Sequence, residues 1–143
     1  FARRARLKGG GGRVATARDT PTWGVASPAA PAANVAVLEA NGVRVFRPAD
    51  LGEGLAQVRA EGIASLLCEG GGALGARLLA LGLVDRLYWV QAPVWLGAGG
   101  VPAFPDLPGA RLGEAARWTP VERRTLGPDT LLVLDREPCS PES

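Results

Sequence analysis

Apolar positions fall into short blocks separated by Gly, Pro, Asn and Asp, and the spacing within each block predicts its element. Thr22-Trp23-Gly24-Val25-Ala26 reads as a short strand stopped by Ser27-Pro28, and residues 31–40 as a helix closed by Asn41-Gly42. Val43-Arg44-Val45-Phe46 alternates as a strand. Asp50 is placed to cap a helix in which Leu51, Leu55 and Val58 share a face, ending at Gly62. Ile63-Ala64-Ser65-Leu66-Leu67-Cys68 is apolar almost throughout, the pattern of a central parallel strand covered on both faces. Gly70-Gly71-Gly72 then leads into a helix in which Leu74, Leu78 and Leu81 recur on one face up to Gly82, and residues 85–91 form the next strand. A Gly/Pro-rich loop fills residues 93–109. Two closing strands, residues 118–126 and 130–135, flank the turn Gly127-Pro128-Asp129. This alternation predicts an α/β domain, a mostly parallel sheet with a C-terminal antiparallel hairpin. Ligands in such sheets bind outside the carboxyl ends of the strands, which directs attention to the segment after Cys68.

Composition narrows the chemistry. The chain has 143 residues, enough for one compact domain, with 47% hydrophobic and 21% charged residues. No apolar run is long enough to cross a bilayer, and the formal charge of +2 gives no argument for nucleic acid or an acidic membrane. Histidine is absent, which excludes an imidazole base and any Cys/His metal site; Cys68 and Cys139 form no framework. Carboxylates, hydroxyls, backbone groups or a cofactor must do the work. Residues 1–18 carry six basic side chains and no acid until Asp19, with four consecutive glycines. They read either as a basic nucleic-acid arm or targeting peptide, or as a solvated lead-in; lacking serine and an aromatic beyond Phe1, they fit the second better. With no methionine anywhere, a start at Phe1 reads as a break or a processed end. The layout is therefore a lead-in over residues 1–21, a domain over 22–137 and a disordered tail over 138–143.

Glu69-Gly70-Gly71-Gly72-Ala73-Leu74-Gly75 joins the exit of the most apolar run to the entry of a helix. Glycines let a ligand approach the main chain, and a helix start offers unpaired N–H groups and partial positive charge to a phosphate. Gly70, Gly72 and Gly75 satisfy G-x-G-x-x-G, yet a Rossmann reading fails: the acid expected about 20 residues on is replaced by Val90, Gln91 and Ala92. No Gly-Lys-Ser/Thr follows, which excludes a Walker loop. On glycines alone, a phosphate cradle and a turn that packs a helix on a sheet remain equally open. Glu69 either interacts with the helix start or accepts N–H groups of a heterocycle across the cleft.

Leu67-Cys68-Glu69-Gly70-Gly71-Gly72-Ala73-Leu74, Leu78-Leu79, Gly82-Leu83-Val84-Asp85-Arg86-Leu87 and Ala92-Pro93-Val94-Trp95-Leu96-Gly97 together resemble the reductase domain of riboflavin biosynthesis. The resemblance runs from about Trp23 to Glu137, with Gly127-Pro128-Asp129 matching the closing hairpin. It implies a dihydrofolate-reductase-like, three-layer fold. It implies NADPH as cofactor and reduction of the ribosyl group of 5-amino-6-(5-phosphoribosylamino)uracil to ribityl, in a cytoplasmic enzyme that pairs as a homodimer. By motif position Gly71, Gly72, Ala73, Leu74, Gly75, Ala76 and Arg77 would hold the cofactor phosphates, and Glu69 would face the pyrimidine. Ser27, which follows a strand on the ligand side, is expected to touch the cofactor's adenosine end. No catalytic residue is assigned, and no metal, nucleic acid or membrane is implied.

The departures are equally specific. Nothing resembles the strand–helix segment with which relatives open this domain, nor the zinc deaminase signature His-x-Glu with Pro-Cys-x-x-Cys. The chain thus resembles the last two-thirds of a reductase domain whose first strands are missing, expected to be inactive or weakly active alone and poorly stable unless it pairs with another chain. Trp23, Trp89, Trp95 and Trp118 read as core or dimer contacts, and Asp85 as an end cap rather than a catalytic acid. Two other functions stand beside the first: a stand-alone reductase of another pterin or pyrimidine, and a binding or assembly module without turnover.

Overall fold

A computed structural model describes residue 14, residues 16–111 and residues 115–137. Most of the basic lead-in and all of the expected disordered tail therefore lie outside the described residues. The chain divides between Leu67 and Cys68 into two compact units.

The first unit holds β1 (Trp23–Val25), α1 (Ala32–Ala40), β2 (Arg44–Phe46) and α2 (Leu51–Ala60). β1 and β2 pair in parallel, Trp23 against Arg44 and Val25 against Phe46. Their crossover is α1, whose Val35 and Leu38 lie one turn apart and enter a core with Ala17, Ala26, Ala30 and Val43. α2 starts where a carboxylate meets orphan donors. The Asp50 side chain accepts from Glu53 N–H at 2.8 Å, and Glu53 reaches back to accept Ala49 N–H at 2.6 Å. Gly42 and Gly62, both at positive φ, follow the ends of α1 and α2 as expected.

In the second unit α3 (Gly72–Ala80) is followed by β3 (Arg86–Gln91), a 3₁₀ turn at Gly97–Gly99, β4 (Trp118–Leu126) and β5 (Asp129–Arg136). The sheet order is β3–β5–β4, antiparallel throughout. Parallel pairing is thus confined, among the described residues, to β1 and β2. Leu131 and Val133, two apart on β5, are buried on one face of this sheet. Pro120 is tolerated because β4 is an edge strand, and the register shifts between Pro120 and Glu122. Gly82 follows α3 at φ 66°, and Arg136 donates from its guanidinium to the Gly82 carbonyl. At this positive φ glycine is favoured, and a Cβ would also displace the Arg136 guanidinium, standing 2.9 Å from its Nη2.

Two expectations are corrected. Residues 63–68 form no strand, and Leu66 and Leu67 are exposed, Leu67 to 73%. Apolar composition marks a segment fit for a central strand, but a strand also needs neighbours to complete its ladder, and none of the described strands pairs with this run. Leu81 lies outside the buried side of α3, which is formed by Ala76 and Leu78. Trp95 is 98% exposed, so of its two readings, core or dimer contact, only the second remains open.

Candidate functional site

Gly71 caps α3, its carbonyl accepting Leu74 N–H at 3.0 Å and Gly75 N–H at 3.2 Å. The N–H groups of Gly72 and Ala73, at the head of the helix, have no intrahelical acceptor and give this end its partial positive charge. The four glycines of the segment differ in what surrounds them. A Cβ on Gly71 would meet nothing within 4 Å, and one on Gly70 only Leu74 Cδ2 at 3.8 Å. A Cβ on Gly72 would run into the Ala103 carbonyl oxygen and stand 2.7 Å from Pro105 Cδ. One on Gly75 would stand 3.2 Å from the Phe104 ring. Both readings of the glycine run therefore have a physical basis: Gly70 and Gly71 leave an open approach, while Gly72 and Gly75 let residues 103–105 pack against the helix.

Glu69 is exposed, and among the described residues it has no ion-pair partner. Arg77 is exposed, Leu74 half-buried, and Ala76, at 3% exposure, points into the unit. Gly71, Gly72, Ala73 and Gly75 follow Glu69 in the turn and the start of α3, whereas Arg77 lies in the helix's last turn. Ser27 belongs to the first unit, where its hydroxyl accepts Ala29 N–H at 3.2 Å in a local turn. Asp85 is exposed, and its carbonyl accepts Arg136 N–H at 2.9 Å.

Sequence reasoning passed over residues 103–105. Phe104 is half-buried and its ring lies 5.8 Å from that of Trp89, tilted by 39°. The available signal was an aromatic between Pro102 and Pro105 inside an otherwise Gly/Pro-rich loop. Trp89 also walls a concavity of about 320 Å³ near the hairpin end of the sheet. Gln91, Arg123, Thr130 and Leu132 line it too, and cross-strand register places Trp89, Leu132 and Arg123 side by side on one face. At the other end of β3, Arg86 donates to both oxygens of Asp135, at 2.6 and 2.8 Å. This fork holds the Asp135 carboxyl below its ordinary range and the Arg86 guanidinium above its own.

With that geometry in place, residues 3–132 match the family model of the RibD C-terminal domain. The chain belongs to this family. Its RibD C-terminal fold is shared with solved structures of Acinetobacter baumannii RibD: form 1 superposes with a TM-score of 0.80 at 21% identity, covering 95% of this chain and 36% of that one. Form 2 gives 0.68 at 22% identity, covering 79% and 31%. A pyrimidine reductase-like protein of Corynebacterium diphtheriae gives 0.65 at 18% identity, covering 81% of this chain and 50% of that one. This RibD C-terminal domain thus spans about a third of the length of the RibD chains it resembles. No curated protein matches it by sequence. The α/β, dihydrofolate-reductase-like reading of the sequence agrees with these neighbours, whose fold the described strands and helices reproduce.

Proposed function

We propose that this RibD C-terminal domain is the reductase module of riboflavin biosynthesis. It would use NADPH to convert the ribosyl group of 5-amino-6-(5-phosphoribosylamino)uracil to ribityl, in the cytoplasm and as a homodimer. Family membership supports the reaction class. The observation that carries the site is the open approach at Gly70 and Gly71, directly before the head of α3.

The donor set suits a dinucleotide. Gly70 and Gly71 let a phosphate reach the main chain, the N–H groups of Gly72 and Ala73 point at it, and Arg77 adds a positive charge on the same helix. When bound, the cofactor's nicotinamide supplies the hydride that is delivered to C1′ of the sugar. The work of this chain is to fix the two ligands relative to each other. Glu69, exposed beside the turn, accepts N–H groups of the pyrimidine.

The test is a fluorescence titration of purified protein with NADPH and NADH, alongside Gly70→Asp. At Gly70 a side chain meets only ordinary contact with Leu74, so the variant adds negative charge at the phosphate approach without crowding the fold. Saturable binding that prefers NADPH and is lost in Gly70→Asp is expected. Equal binding by the variant would move the phosphates away from this turn.

A further inference from the structure

Arg86, Arg123, Arg124 and Arg136 stand on the strands of the second sheet, and all but one have partners. Arg86 donates to Asp135, Arg124 lies 2.7 Å from Glu122 Oε1, and Arg136 donates to the Gly82 carbonyl. Arg123 has no partner among the described residues. It lines the concavity of about 320 Å³ near the hairpin end of the sheet, and no acidic side chain lines that concavity with it. The other polar side chains there are equally free: the Gln91 amide and the Thr130 hydroxyl have no hydrogen-bond partner among the described residues.

Register sets the spacing of these groups. Leu132 pairs with Trp89 on one side and Arg123 on the other, so the three cross one face in a row. An indole stands at one end, an apolar floor in the middle and a cation at the far end. Two strand spacings put about 10 Å between the ends. Gln91 and Thr130, paired with each other two residues nearer the turn, form the next row on the same face. Phe104 packs against Trp89 and steadies the indole, and Pro93 and Pro128 stiffen the rim. A lone guanidinium suits a single negative charge, and its planar fork matches a carboxylate. A row about 10 Å long leaves room for one ring between that carboxylate and the indole.

We propose that this concavity binds a small aromatic carboxylate. The ring lies over Leu132 against Trp89, and the carboxylate accepts hydrogen bonds from Arg123, with Thr130 and Gln91 donating to its remaining lone pairs. The site is built from β3, β4, β5 and the loops adjoining them, and needs nothing from the turn before α3.

A titration with para-fluorobenzoate, followed by fluorine NMR of the probe, tests this on the parent, Arg123→Gln and Arg124→Gln. Both arginines are exposed, so neither replacement disturbs packing. Saturable binding to the parent is expected, weakened at least tenfold in Arg123→Gln. Arg124→Gln, altered on the opposite face, is expected to bind as the parent does. Para-fluorobenzyl alcohol, a ring without charge, and acetate, a charge without a ring, should each displace the probe at least tenfold less effectively. Equal affinity in the parent and Arg123→Gln, or no saturable binding by the folded parent, overturns the site. Displacement by acetate or inorganic phosphate at the probe's own affinity also overturns it, leaving a surface anion contact only. NADPH is absent throughout, so these outcomes are independent of the Gly70→Asp titration.

Discussion

Gly70 and Gly72 stand two residues apart in the same turn, and a methyl group added to each has opposite consequences. In Gly72→Ala the new Cβ meets the Ala103 carbonyl oxygen and stands 2.7 Å from Pro105 Cδ, backbone and ring atoms that yield only if residues 103–105 move. Overpacking of this kind costs about 1–3 kcal/mol. Replacing glycine returns about 0.4–1 kcal/mol by restricting the unfolded chain, which leaves Gly72→Ala destabilised by about 1–2 kcal/mol. In Gly70→Ala the Cβ stands 3.8 Å from Leu74 Cδ2, an ordinary contact, so only the entropic gain remains. The two variants then differ by roughly 2 kcal/mol. With a urea dependence of about 2 kcal/mol per molar, their unfolding midpoints separate by about 1 M. Tryptophan emission follows the transition, because Trp89 lies in the unit concerned. Coincident midpoints, or a Gly70→Ala protein less stable than Gly72→Ala, would refute the claim that Gly72 is there for close packing.

Asp50→Ala removes the cap of α2 and should cost about 1 kcal/mol, read as a lower urea midpoint, while Asp50→Asn recovers most of it. Asp135 is titrated below its ordinary range by Arg86, so its contribution to stability is complete above the unfolded-state value and is lost as pH falls through the lower folded-state one. Acid unfolding of the parent should therefore carry a component below about pH 4 that Asp135→Asn lacks; identical acid limbs would show that the fork contributes nothing. Glu69→Gln should raise the KM for the pyrimidine roughly tenfold or more while the Kd for NADPH stays unchanged. A matching change in both would place Glu69 on the cofactor instead.

The parts of the fold legible in the sequence are those whose cause is local. Asp50 announces α2 because a carboxylate three residues before Glu53 meets orphan N–H groups. Gly42, Gly62 and Gly82 announce helix ends because a left-handed residue stops the ladder there, and Gly127 marks the hairpin for the same reason. What failed depends on distant partners. Residues 63–68 have the composition of a central strand, but composition carries no information on whether neighbouring strands complete the ladder. Trp95 reads by its type as a core or dimer contact, and its exposure removes only the first of these. The candidate site shows the same division: the turn before α3 was legible from Gly70, Gly71 and Gly72. The packing of residues 103–105 on that helix was not, because the approach of Ala103 to Gly72 spans a stretch of chain with no periodic signal to connect them.

The order of the second sheet sets when it can exist. β5 is the middle strand yet follows both neighbours in the chain, and its residue Arg136 also laces the corner after α3. As the chain leaves the ribosome, β3 and β4 emerge with no ladder between them and must wait for residues 129–136. A premature stop just before Asp129 would leave two lone ribbons instead of a sheet with one strand fewer. The closing residues of this unit therefore act as its keystone, and the half-made chain is the form most exposed to proteases and chaperones.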